Sequence, residues 1–128
     1  MAGITVDAGG LVAVDRNDRR TVVLLARARE TGSRVTVPAS ALAQAVRQPQ
    51  RQARLARLLR QPTTDVIPVD RVDATNVGRL LAASGTSDVV DAHVVICARR
   101  ARQQAVTSDP DDLRGSRSHP PRCDDLNR

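Results

Sequence analysis

Short apolar runs alternate along this chain with longer stretches whose apolar side chains recur at helical spacing. Residues 4–6 (Ile4, Thr5, Val6), 34–37 (Val35 and Val37), 65–69 (Val66, Ile67, Val69) and 104–107 (Ala105, Val106) read as strands, the second broken by Pro38. Leu11-Val12-Ala13-Val14 opens a first helix or leads into it. Residues 21–30, with Val22, Val23, Leu24, Leu25 and Ala28, form a helix stopped by Gly32. A short helix follows over 39–47, Gln48-Pro49 interrupts, and residues 51–60 resume with Leu55, Leu58 and Leu59 on one face. Residues 70–83 are helical through Val77, Leu80 and Leu81, residues 88–102 form the next helix, and 110–114 a short closing one. Strand–helix alternation with short connections predicts an α/β fold: a three-layer sandwich around a short, mainly parallel central sheet. Periodicity ends at Gly115, so the ordered domain spans 1–114 and residues 115–128 read as a disordered tail.

Composition narrows what such a domain does. The chain of 128 residues has no Phe, Tyr or Trp, so its core is Val, Leu, Ile and Ala and it offers no platform for stacking bases. Every one of its 20 basic residues is Arg, and the net charge of +6 favours a polyanionic partner. Contacts to nucleic acid then fall to Arg forks or to metal. No apolar run approaches the ~18 residues of a membrane span, and the N-terminus enters a strand without the pattern of a signal peptide. Cys97 and Cys123 make no disulfide framework, and Cys97 reads as a buried thiol after Val94-Val95-Ile96. The compartment expected is the cytoplasm.

Several aspartates stand in or beside apolar runs. Asp7 ends the first strand and Asp109 follows the last, and in a parallel sheet the carboxyl ends of the strands share one edge, where ligands bind. Asp88 and Asp91 share one face at the start of a helix, and Val95 and Ala98 continue that face inward. Carboxylates in such places are costly unless paired, and an oxygen-only donor set suits Mg²⁺ or Mn²⁺ rather than zinc. The histidines fit less well: His119 is in the tail and His93 has no evident neighbouring ligand. Structural alternatives stand beside each acid. Asp88 after Thr86-Ser87 is equally an N-cap. Asp109 before Pro110 starts a helix. Asp112 reads as solvated, and Asp73 suits the dipole of its helix. Arg47, Arg51, Arg54 and Arg57 make a phosphate-tracking stripe if Gln48-Pro49 does not turn the chain away; singly, each is an exposed residue opposite the leucines.

In order along the chain, Ile4-Thr5-Val6-Asp7-Ala8-Gly9, Val37-Pro38-Ala39, Ser87-Asp88-Val89-Val90-Asp91-Ala92 and Thr107-Ser108-Asp109-Pro110-Asp111-Asp112-Leu113 resemble the segments of PIN domains, most closely those of VapC-type toxins of toxin–antitoxin pairs. The resemblance covers roughly residues 3–114. It implies a PIN-like fold, a Mg²⁺- or Mn²⁺-dependent endoribonuclease, an RNA substrate, a VapB-like antitoxin as partner, and a homodimer. Carried over by position, Asp7, Asp91 and Asp109 are the metal ligands and Asp88 an accessory acid. One position departs: where the family carries Glu in its Val-Pro-Ala-x-x-x-Ala-Glu pattern, this chain has Gln44. Gln keeps an oxygen for ligation but loses a charge and any capacity as a base. The alternative to an active nuclease is therefore a weak or inactive PIN-like module that binds RNA or its antitoxin.

Overall fold

The computed structural model describes residues 3–107. Four strands, β1 (Ile4–Val6), β2 (Val35–Pro38), β3 (Thr64–Ile67) and β4 (Gln104–Val106), form one sheet in the order β3-β2-β1-β4. Every pairing is parallel, with Ile4 opposite both Val35 and Gln104, and Val35 opposite Thr64. The helices are α1 (Ala8–Asp15), α2 (Arg19–Glu30), α3 (Ala39–Ala45), α4 (Ala53–Leu59), α5 (Arg71–Ser84) and α6 (Val89–Ala101), with a 3₁₀ turn at Pro49–Arg51. The protein is a three-layer α/β sandwich with a short parallel sheet. Burial follows strand position: Thr5, Val6 and all of β2 are buried, whereas the edge strand β3 stays partly open. Strands buried on both faces favour β-branched residues, and β1 (Ile-Thr-Val) and β2 (Val-Thr-Val-Pro) supply them.

The order of the strands decides where a site can form. The chain steps from β1 to β2 to β3 in one direction, then α5 and α6 carry it back to β4 on the other side of β1. That reversal makes the β1/β4 boundary the topological switch point, where crevices open at the carboxyl ends of strands. The two strands are stitched there by the Asp7 backbone N–H donating to Val106 O at 3.1 Å.

Aspartates start four of the helices. Asp7, Asp18, Asp70 and Asp88 each occupy an N-cap, and each side chain accepts the N–H three residues on, at Gly10, Thr21, Asp73 and Asp91. The α5 helix ends at Gly85, whose φ of 71° is the left-handed conformation that glycine adopts without a Cβ penalty. Gly10 is required for a different reason. A Cβ there would lie 2.6 Å from Val106 O and 2.7 Å from Val6 Cγ1, so only glycine lets α1 sit this close to the switch point.

One core joins β1, β2, α1, α3, α4 and α6 through Val6, Leu11, Val14, Val37, Ala41, Leu55, Leu58 and Val94. A smaller cluster of Val77, Leu80, Ala92 and Ile96 locks α5 onto α6. Several element boundaries differ from expectation; β3 ends at Ile67 rather than Val69, α2 begins at Arg19, and α4 spans only Ala53–Leu59. Pro38 does not break β2 but completes it, pairing with Ile67, because the chain passes at once into α3 and no further ladder N–H is needed. The α3 helix stops at Ala45 because Val46 turns extended (ψ 119°). The closing helix and the tail, expected over 110–128, lie outside the described residues. Among the described residues no single helix is long and apolar enough to cross a membrane.

Candidate functional site

At the carboxyl edge, Asp7 follows β1 directly and is half-buried. Its Oδ1 accepts the Gly10 N–H at 2.8 Å, so the carboxylate is oriented by the first turn of α1. Capping α1 gives Asp7 a structural role as well. The N-terminus of α6 lies at the same end of the sheet, since α6 leads into β4 through a short connection and runs antiparallel to it. Asp88 caps this helix, its Oδ1 accepting the Asp91 N–H at 2.9 Å.

Asp91 departs from expectation. It was placed on the inward face of its helix but is exposed, while Ala92, His93 and Val94 immediately after it are buried. The helix turns about 100° per residue, and its buried face is centred on His93, Ile96 and Cys97 rather than on the Asp91–Val95–Ala98 line. The three predicted metal ligands are therefore one half-buried acid, one exposed acid, and Asp109, which lies outside the described residues. Gln44 is exposed late in α3.

The arginine stripe does not form as one surface. The chain turns at Val46 and again through the Pro49–Arg51 turn, which separates Arg47 and Arg51 from α4. Arg47 folds back onto Val46 O at 2.9 Å, and Arg54 reaches Asp15 O at 3.3 Å. With Arg29 and Arg57, Arg54 lines a cleft of about 250 Å³ between α2 and α4, whose apolar walls include Val14, Val22, Leu25, Val35 and Leu58.

The closest gathering of reactive side chains in the described residues was not anticipated. Asp73, on the first turn of α5, is 2% exposed, and His93 on α6 is fully buried. His93 Nε2 lies 3.0 Å from Asp73 Oδ2 and 3.5 Å from Cys97 Sγ. Its Nδ1 is 2.9 Å from Ser40 Oγ on α3. Arg100 pairs with the other carboxylate oxygen, Asp73 Oδ1. His93, for which no neighbouring ligand was evident, thus has Asp73 and Cys97 beside it, and their donor atoms all lie within 4.8 Å of one another.

The electrostatics of this cluster follow from its burial. Desolvation pushes the Asp73 carboxyl up, but hydrogen bonds from Arg100 and His93 outweigh it and hold the group below the usual carboxylate range. Burial, reinforced by the Asp73 charge, pushes the Cys97 thiol up to about 11. Part of this was legible, because His93 and Cys97 stand at i, i+4 on one helix face. Nothing local links them to Asp73 or Ser40, which come from other helices.

No model of a known protein family matches the chain, and no curated protein matches it.

Proposed function

We propose that this protein is a metal-dependent endoribonuclease of the PIN-domain kind, the VapC-like toxin of a toxin–antitoxin pair, acting in the cytoplasm. The observation that carries the reading is the position of Asp7: an oriented carboxylate at the end of β1, hydrogen-bonded through its backbone to β4 at the point where strand order reverses. Ligand sites in parallel sheets form at that point. Asp88 and Asp91 stand at the start of α6, whose N-terminus lies at the same edge, and Asp109 follows β4 in sequence. These donors are carboxylate oxygens, the chemistry that suits Mg²⁺ or Mn²⁺.

Such an ion, when bound, lowers the pKa of its water and offsets negative charge on the phosphate. The chain's own contribution is positional. Gly10 N–H holds the Asp7 carboxylate, and Asp88 fixes the first turn of α6 and with it Asp91. Exposed Arg47, Arg51 and Arg54 would meet RNA phosphates as separate contacts rather than as a track. The exposed apolar side chains of α2, Val22, Val23 and Leu24, support the partner half of the reading, an antitoxin or a second copy.

Gln44 favours a second reading, a PIN-like module that binds RNA or antitoxin and cuts weakly or not at all. One assay separates them. The purified chain is incubated with structured RNA and Mg²⁺ or Mn²⁺, with EDTA, and as Asp7→Asn and Asp91→Asn. Cleavage that depends on the ion and on both acids is expected; cleavage that survives EDTA or either substitution overturns the metal mechanism. Failure of the wild type to cut, reversed in Gln44→Glu, establishes the inactive module instead. Loss of cleavage in Asp88→Asn is the result that gives Asp88 its accessory role.

A further inference from the structure

The buried cluster beneath α6 has donors of a different kind from those at the carboxyl edge. Asp73 Oδ2, His93 Nε2 and Cys97 Sγ face one another with separations of 3.0 Å and 3.5 Å along the histidine edges, and all within 4.8 Å. Donors around a tetrahedral zinc ion stand about 3.3–3.6 Å apart, given metal–ligand bonds of about 2.0–2.3 Å. The cluster is thus close to the spacing of such a site. We propose that Asp73, His93 and Cys97 form a binding site for a thiophilic divalent ion of the Zn²⁺ class, pinning α5 to α6.

Three further features agree with this assignment. Carboxylate, imidazole and thiol together select a borderline-soft ion over Mg²⁺. The remaining polar atoms are held as outer-shell partners hold ligands. Ser40 Oγ engages His93 Nδ1, leaving Nε2 directed at the other two donors, and Arg100 takes Asp73 Oδ1 while Oδ2 faces the shared point. Third, the site is closed: Asp73 and Cys97 are 2% exposed and His93 fully buried. The side chain of Arg100, half in solvent, marks where the carboxylate comes nearest to the surface. On binding, the Cys97 thiol releases its proton to solvent. His93 gives up the Nε2 proton it shares with Asp73 while taking one at Nδ1, so the imidazole stays neutral, donates Nδ1–H to Ser40 Oγ and gives its Nε2 lone pair to the ion. Three protein donors leave a fourth position for water. This site does not depend on the RNA-cleavage reading, whose donors are separate residues.

Cobalt reports directly on thiolate ligation. The reduced full-length chain is titrated with Co²⁺ and its absorption recorded, and its melting temperature is measured with Zn²⁺ and with Mg²⁺ at equal concentration. A thiolate-to-cobalt charge-transfer band is expected in wild type, in Cys123→Ser and in Asp7→Asn, but not in Cys97→Ala. Ser40→Ala should weaken Co²⁺ affinity about 10-fold, as loss of an outer-shell partner does. Zn²⁺ should raise the melting temperature where Mg²⁺ does not, and Cys97→Ala should abolish the rise. Absence of the band in wild type, its loss in Cys123→Ser, its persistence in Cys97→Ala, or equal stabilisation by Mg²⁺ overturns the proposal. Wild type and Cys123→Ser alone decide the spectroscopic question should Cys97→Ala not fold.

Discussion

Asp91 and His93 are two residues apart on one helix, yet one stands in solvent and the other is sealed in the interior. The same contrast separates the two groups of acids. At the carboxyl edge, Asp7, Asp88 and Asp91 sit on or beside helix starts, and the capping bonds of Asp7 and Asp88 are made to backbone three residues away. Beneath α6, Asp73 is held by Arg100 and His93, which belong to another helix. An acid held by its own helix turn can be changed with little cost to the fold. One held by packed partners cannot, because its removal strands them.

The sharpest way to break this contrast is to remove Asp73. Asp73→Ala leaves His93 without its carboxylate in a closed site and should destabilise the protein by about 2–3 kcal/mol, read from the urea midpoint. Its pH signature is also defined. Asp73 titrates lower in the folded than in the unfolded chain, so its contribution is complete above about pH 4 and is lost as pH falls through the folded value. Asp73→Asn should therefore flatten the acid limb of the stability curve. An unchanged limb would show that the ion pair does not hold the fold.

The alkaline side tests the same cluster with the opposite sign. The Cys97 thiol is raised to about 11, so the stability it contributes is complete below the ordinary thiol value of about 8.5 and is lost as pH rises through the folded value. Melting curves between these limits should fall for wild type and fall less for Cys97→Ala.

Substitutions at the open edge should have smaller effects. Gly10→Ala drives a methyl into Val106 O and Val6, and overpacking of this kind costs about 1–2 kcal/mol by denaturant titration. Asp7→Ala loses a cap, about 1 kcal/mol, whereas Asp7→Asn keeps the cap and tests charge alone. Asp91→Asn, exposed, should change stability by less than about 0.5 kcal/mol. Were Asp91→Asn to destabilise as much as Asp73→Ala, the division between the two groups of acids would not stand.

The features legible beforehand are those written within a few residues. The strands at Ile4–Val6 and Gln104–Val106, the helix starting after Asp88, and the placing of Asp7 at a strand end all follow from local runs and caps, whose hydrogen bonds span one turn. Parallel pairing followed from alternation, because short connections leave few other arrangements for strands buried on both faces. Tertiary packing decided what no single segment contains. The phase of α6 against the sheet turned Asp91 outward and His93 inward, and the turn at Val46 divided the arginines. The packing of α3, α5 and α6 brought Ser40, Asp73 and Arg100 to His93 and Cys97. The physical reason is distance along the chain: a cap bonds to its own helix turn, whereas the Asp73–His93 and Ser40–His93 contacts join residues 20 and 53 positions apart. Such contacts exist only once the helices have taken their places on the sheet.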